Sequence, residues 1–276
     1  MNISELKILW KKVFEDEEAY IDRFFSQIYK QGQTLIHQEE GHAVAMLHMI
    51  PYNLRIDGRK FRAMYLYALA TEEKYRGKGI MSGLIHQAHR IADERGYLCS
   101  FLIPERESLY GFYQKFGYTV PFYDNEVTLC PDLFSQGTNL HKVNMSNDEL
   151  WGIQQSFYDR NNKIIMPDRN QFEFFLEDFF GEGGKVYCIT GAGIESGYVY
   201  GTRKLSGQYC EPVHDINGCK KGKITVCHTN MEENILTGGT INAVITYHIR
   251  GLFRPARACK QSGIDINGIY VKNVLC

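Results

Sequence analysis

Ala68-Leu69-Ala70-Thr71-Glu72-Glu73-Lys74-Tyr75-Arg76-Gly77-Lys78-Gly79-Ile80 is the stretch whose reading decides the fold. It reads as the end of an apolar strand, a short charged turn, a basic loop with two glycines and the start of a helix. The first-turn amides of a helix have no intrahelical acceptor and lie at the positive end of its dipole. Glycines at 77 and 79 let the backbone approach a phosphate with no Cβ in the way, and Arg76 and Lys78 add positive charge. The stretch therefore predicts a cradle for a nucleotide diphosphate. The plainer alternative for so short a motif is a glycine-rich turn with nothing bound.

Spacing narrows the ligand. Gly77-Lys78-Gly79-Ile80-Met81-Ser82-Gly83 does not fit the dinucleotide fingerprint G-x-G-x-x-G, and it lacks the Gly-Lys-Ser/Thr of a P-loop. Downstream, Leu98-Cys99-Ser100-Phe101-Leu102-Ile103 reads as an apolar strand. A helix over Ser108–Phe116 follows, closed by Gly117.

Lys74-Tyr75-Arg76-Gly77-Lys78-Gly79 resembles the acetyl-CoA loop R/Q-x-x-G-x-G/A of the GCN5-related N-acetyltransferases (GNAT), with Lys in the first position. Tyr67–Thr71 looks like the strand that precedes this loop in the family. Phe112-Tyr113-Gln114-Lys115-Phe116-Gly117-Tyr118 resembles the ending of its acetyl-CoA region. The resemblance implies an α/β (α+β) fold with a mixed, mostly antiparallel sheet flanked by helices, and acetyl-CoA as cosubstrate. It implies that strand amides at Leu69, Ala70 and Thr71 hold the pantetheine and polarise the acyl carbonyl. It assigns the diphosphate to Arg76, Gly77, Lys78, Gly79, Ile80, Met81 and Ser82. It makes Tyr113 the proton donor to the departing thiolate. On its own, Tyr113 also reads as a core tyrosine of an amphipathic helix.

The N-terminal pattern fits such a domain. Leu6, Leu9, Trp10, Val13 and Phe14 share one helical face, and Tyr20, Ile21, Phe24, Phe25 and Ile28 share another, with a break near Glu15–Glu18. Thr34–His37 and Ala43–Met49 read as strands, and the Asp57-Gly58 turn leads to a strand over Phe61–Ala70. Ile80, Leu84, Ile85, Ala88, Ile91 and Ala92 form the apolar stripe of the helix after the loop, which Gly96 ends. Tyr118–Tyr123 and Glu126–Leu129 read as closing strands.

Residues 1–130 are thus expected to be the acetyl-CoA-binding domain, 131–145 a polar linker, and 146–276 a second domain. Ser146-Asn147-Asp148-Glu149 is a capping box that starts a helix to about Arg160. Another helix follows Pro167, then strands over Lys185–Thr190 and Ser196–Arg203. Two helices and a hairpin repeat the N-terminal order and suggest a degenerate GNAT-like half. Thr240–Tyr247 reads as a strand, and Arg250-Gly251-Leu252-Phe253-Arg254 as a faint echo of the loop, without its second glycine. Residues 205–235 carry no clear pattern. Tandem halves resemble the Eis (enhanced intracellular survival) acetyltransferases, in which the carboxylate at the chain's end is the proposed base. That resemblance would give the role to Cys276, in a chain that looks too short for the third domain of that group.

Composition bounds the rest. The chain has 276 residues, 44% hydrophobic and 23% charged, so it holds one large or two ordinary globular domains. A net charge of −1 with no long basic run argues against nucleic acid or a membrane as the main partner. The cysteines form no C-x-x-C and no zinc spacing, and the N-terminus lacks a signal-peptide pattern, so no metal and a cytoplasmic setting are expected. Homo-oligomer formation is left open.

The expected reaction is direct attack of a primary amine, on a small molecule or a lysine, upon acetyl-CoA. The alternative is a CoA-binding sensor without catalysis. The base is unassigned: Glu105 and Glu107 suit a helix start, His48 suits a structural role on a strand, and His86 and His89 read as solvated. Glu173, Glu177, Asp178 and Glu182 either draw a cationic amine or form a solvated helix face.

Overall fold

Two helices open the chain where the apolar stripes put them, α1 (Ile3–Phe14) and α2 (Glu18–Gln27). The Asn2 side chain accepts a hydrogen bond from the Ser4 amide at 3.0 Å, and Leu6, Leu9 and Trp10 are buried. Glu15, at φ 61°, turns the chain out of α1. Three strands follow: β1 (Thr34–Glu39), β2 (His42–Ile56) and β3 (Arg59–Thr71). β2 and β3 form a long hairpin whose turn residues Asp57 and Gly58 both have positive φ, 48° and 75°, as the tight hairpin turn requires.

After β3 come α3 (Ile80–Glu94), β4 (Cys99–Leu102) and α4 (Tyr110–Gln114), the last preceded by a 3-10 turn over Glu107–Leu109. Gly96, at φ 68°, ends α3 with the paired bonds Tyr97 N–H to Ala92 carbonyl (3.0 Å) and Gly96 N–H to Asp93 carbonyl (3.3 Å). Beyond α4 lie β5 (Val120–Leu129), β6 (Asn139–Val143), α5 (Asn147–Arg160), β7 (Lys163–Met166), α6 (Arg169–Gly181), β8 (Lys185–Gly191), β9 (Ile194–Gly201), β10 (Lys223–Val226), β11 (Ala243–Pro255), α7 (Arg257–Ser262) and β12 (Tyr270–Val271). This computed structural model describes residues 2–129, 139–160, 163–181, 183–191, 194–201, 223–226, 243–262, 264 and 270–271. Cys276, Glu182 and most of 205–235 lie outside the described residues.

The chain divides into two units, and neither is one continuous segment. The first comprises Met1–Tyr123, Asn162–Phe175 and Ile249–Cys276; the second comprises Asp124–Asn161 and Leu176–His248. In the first, the strands run β12-β7-β2-β3-β4-β11, with β1 and β7 sharing the outer edge of β2. Pairing is antiparallel except for β3 with β4 and β12 with β7. The sheet is covered on both faces. One core joins α1 and α2 to Met46, Ile50, Tyr52, Tyr65, Phe101 and Phe253; the other joins α3 and α4 to Leu47, Met49, Met64, Leu66 and Leu102. In the second unit β10, β9, β8 and β6 continue antiparallel from the far end of β5. Its helix α5 starts in the expected capping box: the Ser146 amide donates to Glu149 Oε2 at 2.8 Å and the Glu149 amide to Ser146 Oγ at 3.3 Å.

Several sequence expectations change here. The boundaries 1–130, 131–145 and 146–276 are contiguous, whereas β7, the first half of α6 and the end of β11 belong to the first unit. Lys163–Met166 is too short an apolar run to announce a strand, yet it pairs with Asn53–Ile56. Arg250–Arg254 is no loop: Leu252–Pro255 pairs with Leu102–Cys99, and Leu252 and Phe253 are buried on opposite faces. Within the expected linker, Asn139–Val143 is the edge strand β6, whose polar composition suits an edge. The two closing strands are one, β5, and the helix expected over 108–116 is the shorter α4.

Candidate functional site

The quoted stretch folds as β3, a 3-10 turn over Glu73–Tyr75, an exposed loop and α3. Gly77 and Gly79 sit at φ 77° and 79°, where side chains are strained, and a Cβ on either would meet nothing within 4 Å. Among the described residues, the loop backbone therefore faces open space. Gly79 is the N-cap of α3, no side chain caps it, and no acidic residue lies in the first turn. The amides of Ile80, Met81 and Ser82 are first-turn groups that no carbonyl of α3 can reach. Arg76 Nε donates to the Thr71 carbonyl at 3.0 Å, laying the side chain back across the end of β3. Lys74 and Lys78 each place Nζ 4.9 Å from the Tyr75 ring centroid. Lys12 at the end of α1 reaches Glu72 at 2.6 Å, which neutralises the acidic side of the turn and holds its carboxyl below the usual range.

β3 itself is interrupted just upstream. Its pairing with β2 shifts register between Met46 and His48, so that Ala68 and Leu69 together oppose Leu47. Ala68 takes φ 47°, a left-handed value rare for a residue with a Cβ. The facing of the side chains records this bulge. Leu66 packs on the α3 side, Tyr67 and Ala68 both on the α1–α2 side, and Leu69 returns to the α3 side. β3 is buried at Ala63–Leu66 and again at Ala70, but only half-buried at Tyr67, Ala68 and Leu69. The parallel pairing of β3 with β4 ends at Tyr65 opposite Phe101, so β3 runs on to Thr71 without β4 beside it. A bulge, a strand separation and an anion-suited helix start thus follow one another within fifteen residues of chain.

Tyr113 is the buried residue of α4 and belongs to the core on the α3 side. Gly117, at φ 86°, closes the segment with Gly117 N–H to Gln114 carbonyl (2.9 Å) and Tyr118 N–H to Tyr113 carbonyl (3.4 Å). Burial, with the Glu105 carboxylate adding to it, pushes the Tyr113 hydroxyl up to about 12. It therefore keeps its proton at neutral pH. Tyr118, which follows, bonds His89 Nε2 at 3.1 Å and Ser100 Oγ at 3.0 Å, which fixes this segment against α3 and β4.

The remaining candidates sort by burial. His48 is buried, its Nδ1 is 2.7 Å from Thr34 Oγ1, and its Nε2 has no partner among the described residues. Trp10, Phe24, Phe25 and Tyr29 surround the ring, and burial lowers its pKa to about 3. That is the structural role expected of it. His86 is exposed, but His89 is buried rather than solvated, because position 89 falls on the stripe of Ile85, Ala88 and Ala92 and finds the Tyr118 hydroxyl. Its pKa is lowered to about 3 by burial, then by Arg254 and His86. Cys99 is fully buried with its thiol pushed up, a packing residue. Glu173 pairs with Arg169 at 2.6 Å. Among the described residues no cluster of ligating side chains suits a metal ion, and no helix is long and apolar enough to cross a membrane. Sequence reading missed the bulge, because an alanine carries no mark of a left-handed backbone.

A family model described as an acetyltransferase (GNAT) domain matches residues 2–120. Curated protein sequences give no match. Among solved structures, a conserved protein from Enterococcus faecalis described as a probable N-acyltransferase aligns over 93% of this chain and 70% of its own, at 11% identity and a TM-score of 0.69. A GCN5-related N-acetyltransferase from Anabaena variabilis aligns over 94% and 71%, at 16% identity and 0.68. Eis1 from Mycobacterium abscessus aligns over 95% and 73%, at 11% identity and 0.66. At these identities the likeness is one of fold, whereas the family match covers the segment that contains the bulge, the glycine loop and Tyr113. A model of the acetyltransferase (GNAT) domain family thus matches residues 2–120, and the chain is similar in fold to Eis1 of Mycobacterium abscessus.

Proposed function

We propose that the protein is an N-acetyltransferase that moves the acetyl group of acetyl-CoA to a primary amine, by direct attack with both substrates bound. The observation that carries this reading is the open, uncapped start of α3 behind two left-handed glycines, with no carboxylate in its first turn. Such a start fits a diphosphate: free amides, a positive dipole end and the cations of Lys74, Arg76 and Lys78 beside it. When bound there, acetyl-CoA supplies an acyl group activated as a thioester.

Gly77, Gly79 and the amides of Ile80, Met81 and Ser82 hold the diphosphate in this reading, with Arg76 and Lys78 adding charge. The separation of β3 from β4 leaves Leu69, Ala70 and Thr71 to pair with the extended arm of the cosubstrate. In this reading the strand amides beside the bulge polarise the acyl oxygen, where a donor fixed in advance stabilises charge most effectively. Tyr113 donates its proton to the departing sulfur. Direct transfer is favoured over a covalent acetyl-enzyme because the Cys99 thiol is buried and disfavours its thiolate. The second unit is read as a degenerate GNAT-like half, and the setting as cytoplasmic.

Free-thiol release, followed with acetyl-CoA and a panel of spermidine, kanamycin and a lysine-containing peptide, tests the assignment. Release that depends on an amine supports transfer. Binding of acetyl-CoA with no release from any amine contradicts it in favour of a sensor.

A further inference from the structure

A proton donor acts only where its oxygen stands within hydrogen-bond reach of the atom it protonates. What holds Tyr113 in place therefore matters as much as its proton. Its own helix is a weak anchor. α4 has five residues, no side chain caps its start, and Tyr113 is the residue it buries. The Tyr113 ring packs on Phe112 at a centroid distance of 5.2 Å and on Tyr118 at 6.2 Å. The Tyr113 carbonyl accepts from the Phe116 amide at 2.9 Å and from the Tyr118 amide at 3.4 Å. Tyr113 and Tyr118 are thus joined through both backbone and ring.

Tyr118 ties this segment to the rest of the unit. It is fully buried, and its hydroxyl lies 3.0 Å from Ser100 Oγ on β4 and 3.1 Å from His89 Nε2 on α3. One phenol proton serves two partners, so the three groups form a single chain: Tyr118 donates to one and accepts from the other. Ser100 and His89 are buried as well, and a buried polar group is costly to leave unpaired. Burial, then the nearby Arg254 and His86, hold His89 neutral, and burial pushes the Tyr118 hydroxyl up. The chain therefore keeps one protonation state at neutral pH. β11 closes the segment from beside β4. The Thr119 amide donates to the Phe253 carbonyl at 3.2 Å, and Arg254, paired with Ser100 in the sheet, lays its stem against Gly117.

We propose that the Tyr118 hydroxyl, held between Ser100 and His89, is a positioning group that fixes where Tyr113 stands. The inference rests on the reading of Tyr113 as proton donor given above. α3 starts at the diphosphate loop and carries His89 further along, so one helix refers the donor to the cosubstrate. Tyr118 passes no proton itself. Without its hydroxyl the turn after α4 loses its link to α3 and β4; Tyr113 keeps its proton but not its fixed place. The effect falls on turnover and not on cosubstrate affinity, because the glycine loop is untouched.

The test measures thiol release by the full chain with acetyl-CoA and the amines of the panel, below the melting temperature of each variant. Tyr118→Phe keeps the ring and removes the hydroxyl. Ser100→Ala removes one end of the chain, and it carries the test if Tyr118→Phe does not fold. Tyr118→Phe should lower kcat about tenfold and Ser100→Ala about fivefold, with KM for acetyl-CoA within about twofold of wild type. Added to Tyr113→Phe, either change should alter kcat by less than about twofold, since a donor that is absent cannot be misplaced. A merely structural role would slow both backgrounds alike. The positioning is overturned if kcat of both variants stays within about twofold of wild type, or if their loss persists undiminished in the Tyr113→Phe background. Tyr113→Phe that turns over like wild type overturns the donor reading and the positioning with it. A slow Tyr113→Phe beside unaffected Tyr118→Phe and Ser100→Ala overturns the positioning alone.

Discussion

At the scale of single residues, burial decides what each polar group can do. Tyr113 is held protonated to about 12 chiefly by burial, so its proton is in place at neutral pH. Tyr113→Phe should lower turnover about a hundredfold while leaving acetyl-CoA affinity unchanged; paired rate and calorimetric measurements check this. His48 and His89 are kept neutral by the same cause, each near 3 rather than 6.5. Between those values the unfolded chain binds more protons than the folded one, so this stabilisation is complete above pH 6.5 and is lost as pH falls toward 3. Each histidine contributes a slope of at most about 1.4 kcal/mol per pH unit within that window. Urea unfolding at a series of acidic pH values should show the slope, and His48→Leu should flatten it. The role of His48 was legible in the sequence as a lone histidine on a strand. The burial of His89 was not, because it depends on the hydroxyl of Tyr118, which is remote in sequence.

At the scale of elements, two short backbone features mark the candidate site, and they differ in how they are written. Gly77 and Gly79 mark their left-handed conformations openly, because glycine adopts them without cost. Ala68 adopts a similar conformation with a side chain, so the bulge is invisible until β2 and β3 are paired. The alternation of facing then fails visibly at Tyr67 and Ala68. Ala68→Val should be costly, since a branched side chain clashes in the left-handed region. Chemical denaturation is expected to register a loss of about 1–2 kcal/mol, accompanied by slower turnover. An unchanged midpoint with unchanged turnover would argue that the bulge plays no part. Helices were readable from their stripes and caps, as Ser146 and Gly96 show. Short strands were not: β7 is four residues, three of them apolar, and β6 is a polar edge.

At the scale of the molecule, distant segments complete the unit that contains the candidate site. β11 pairs with β4, burying Phe253 against Phe101 at a centroid distance of 5.6 Å, and β7 pairs with β2. A chain ended at residue 130 should therefore expose both edges of that sheet and should aggregate or lose cooperative melting, as calorimetry and light scattering can determine. Cooperative melting of such a fragment near the full chain's temperature would contradict the completed sheet. The contiguous boundaries expected from the sequence failed for this reason: hydrophobic pattern identifies a strand, but it does not say which sheet the strand joins. The central claim concerns the start of α3, and one calorimetric titration tests it most directly. Acetyl-CoA added to wild-type protein and to Gly79→Glu should give saturable binding in the first and none in the second, with both proteins folded by circular dichroism. No binding to wild type, or equal binding to the variant, would contradict the diphosphate cradle and the function built on it.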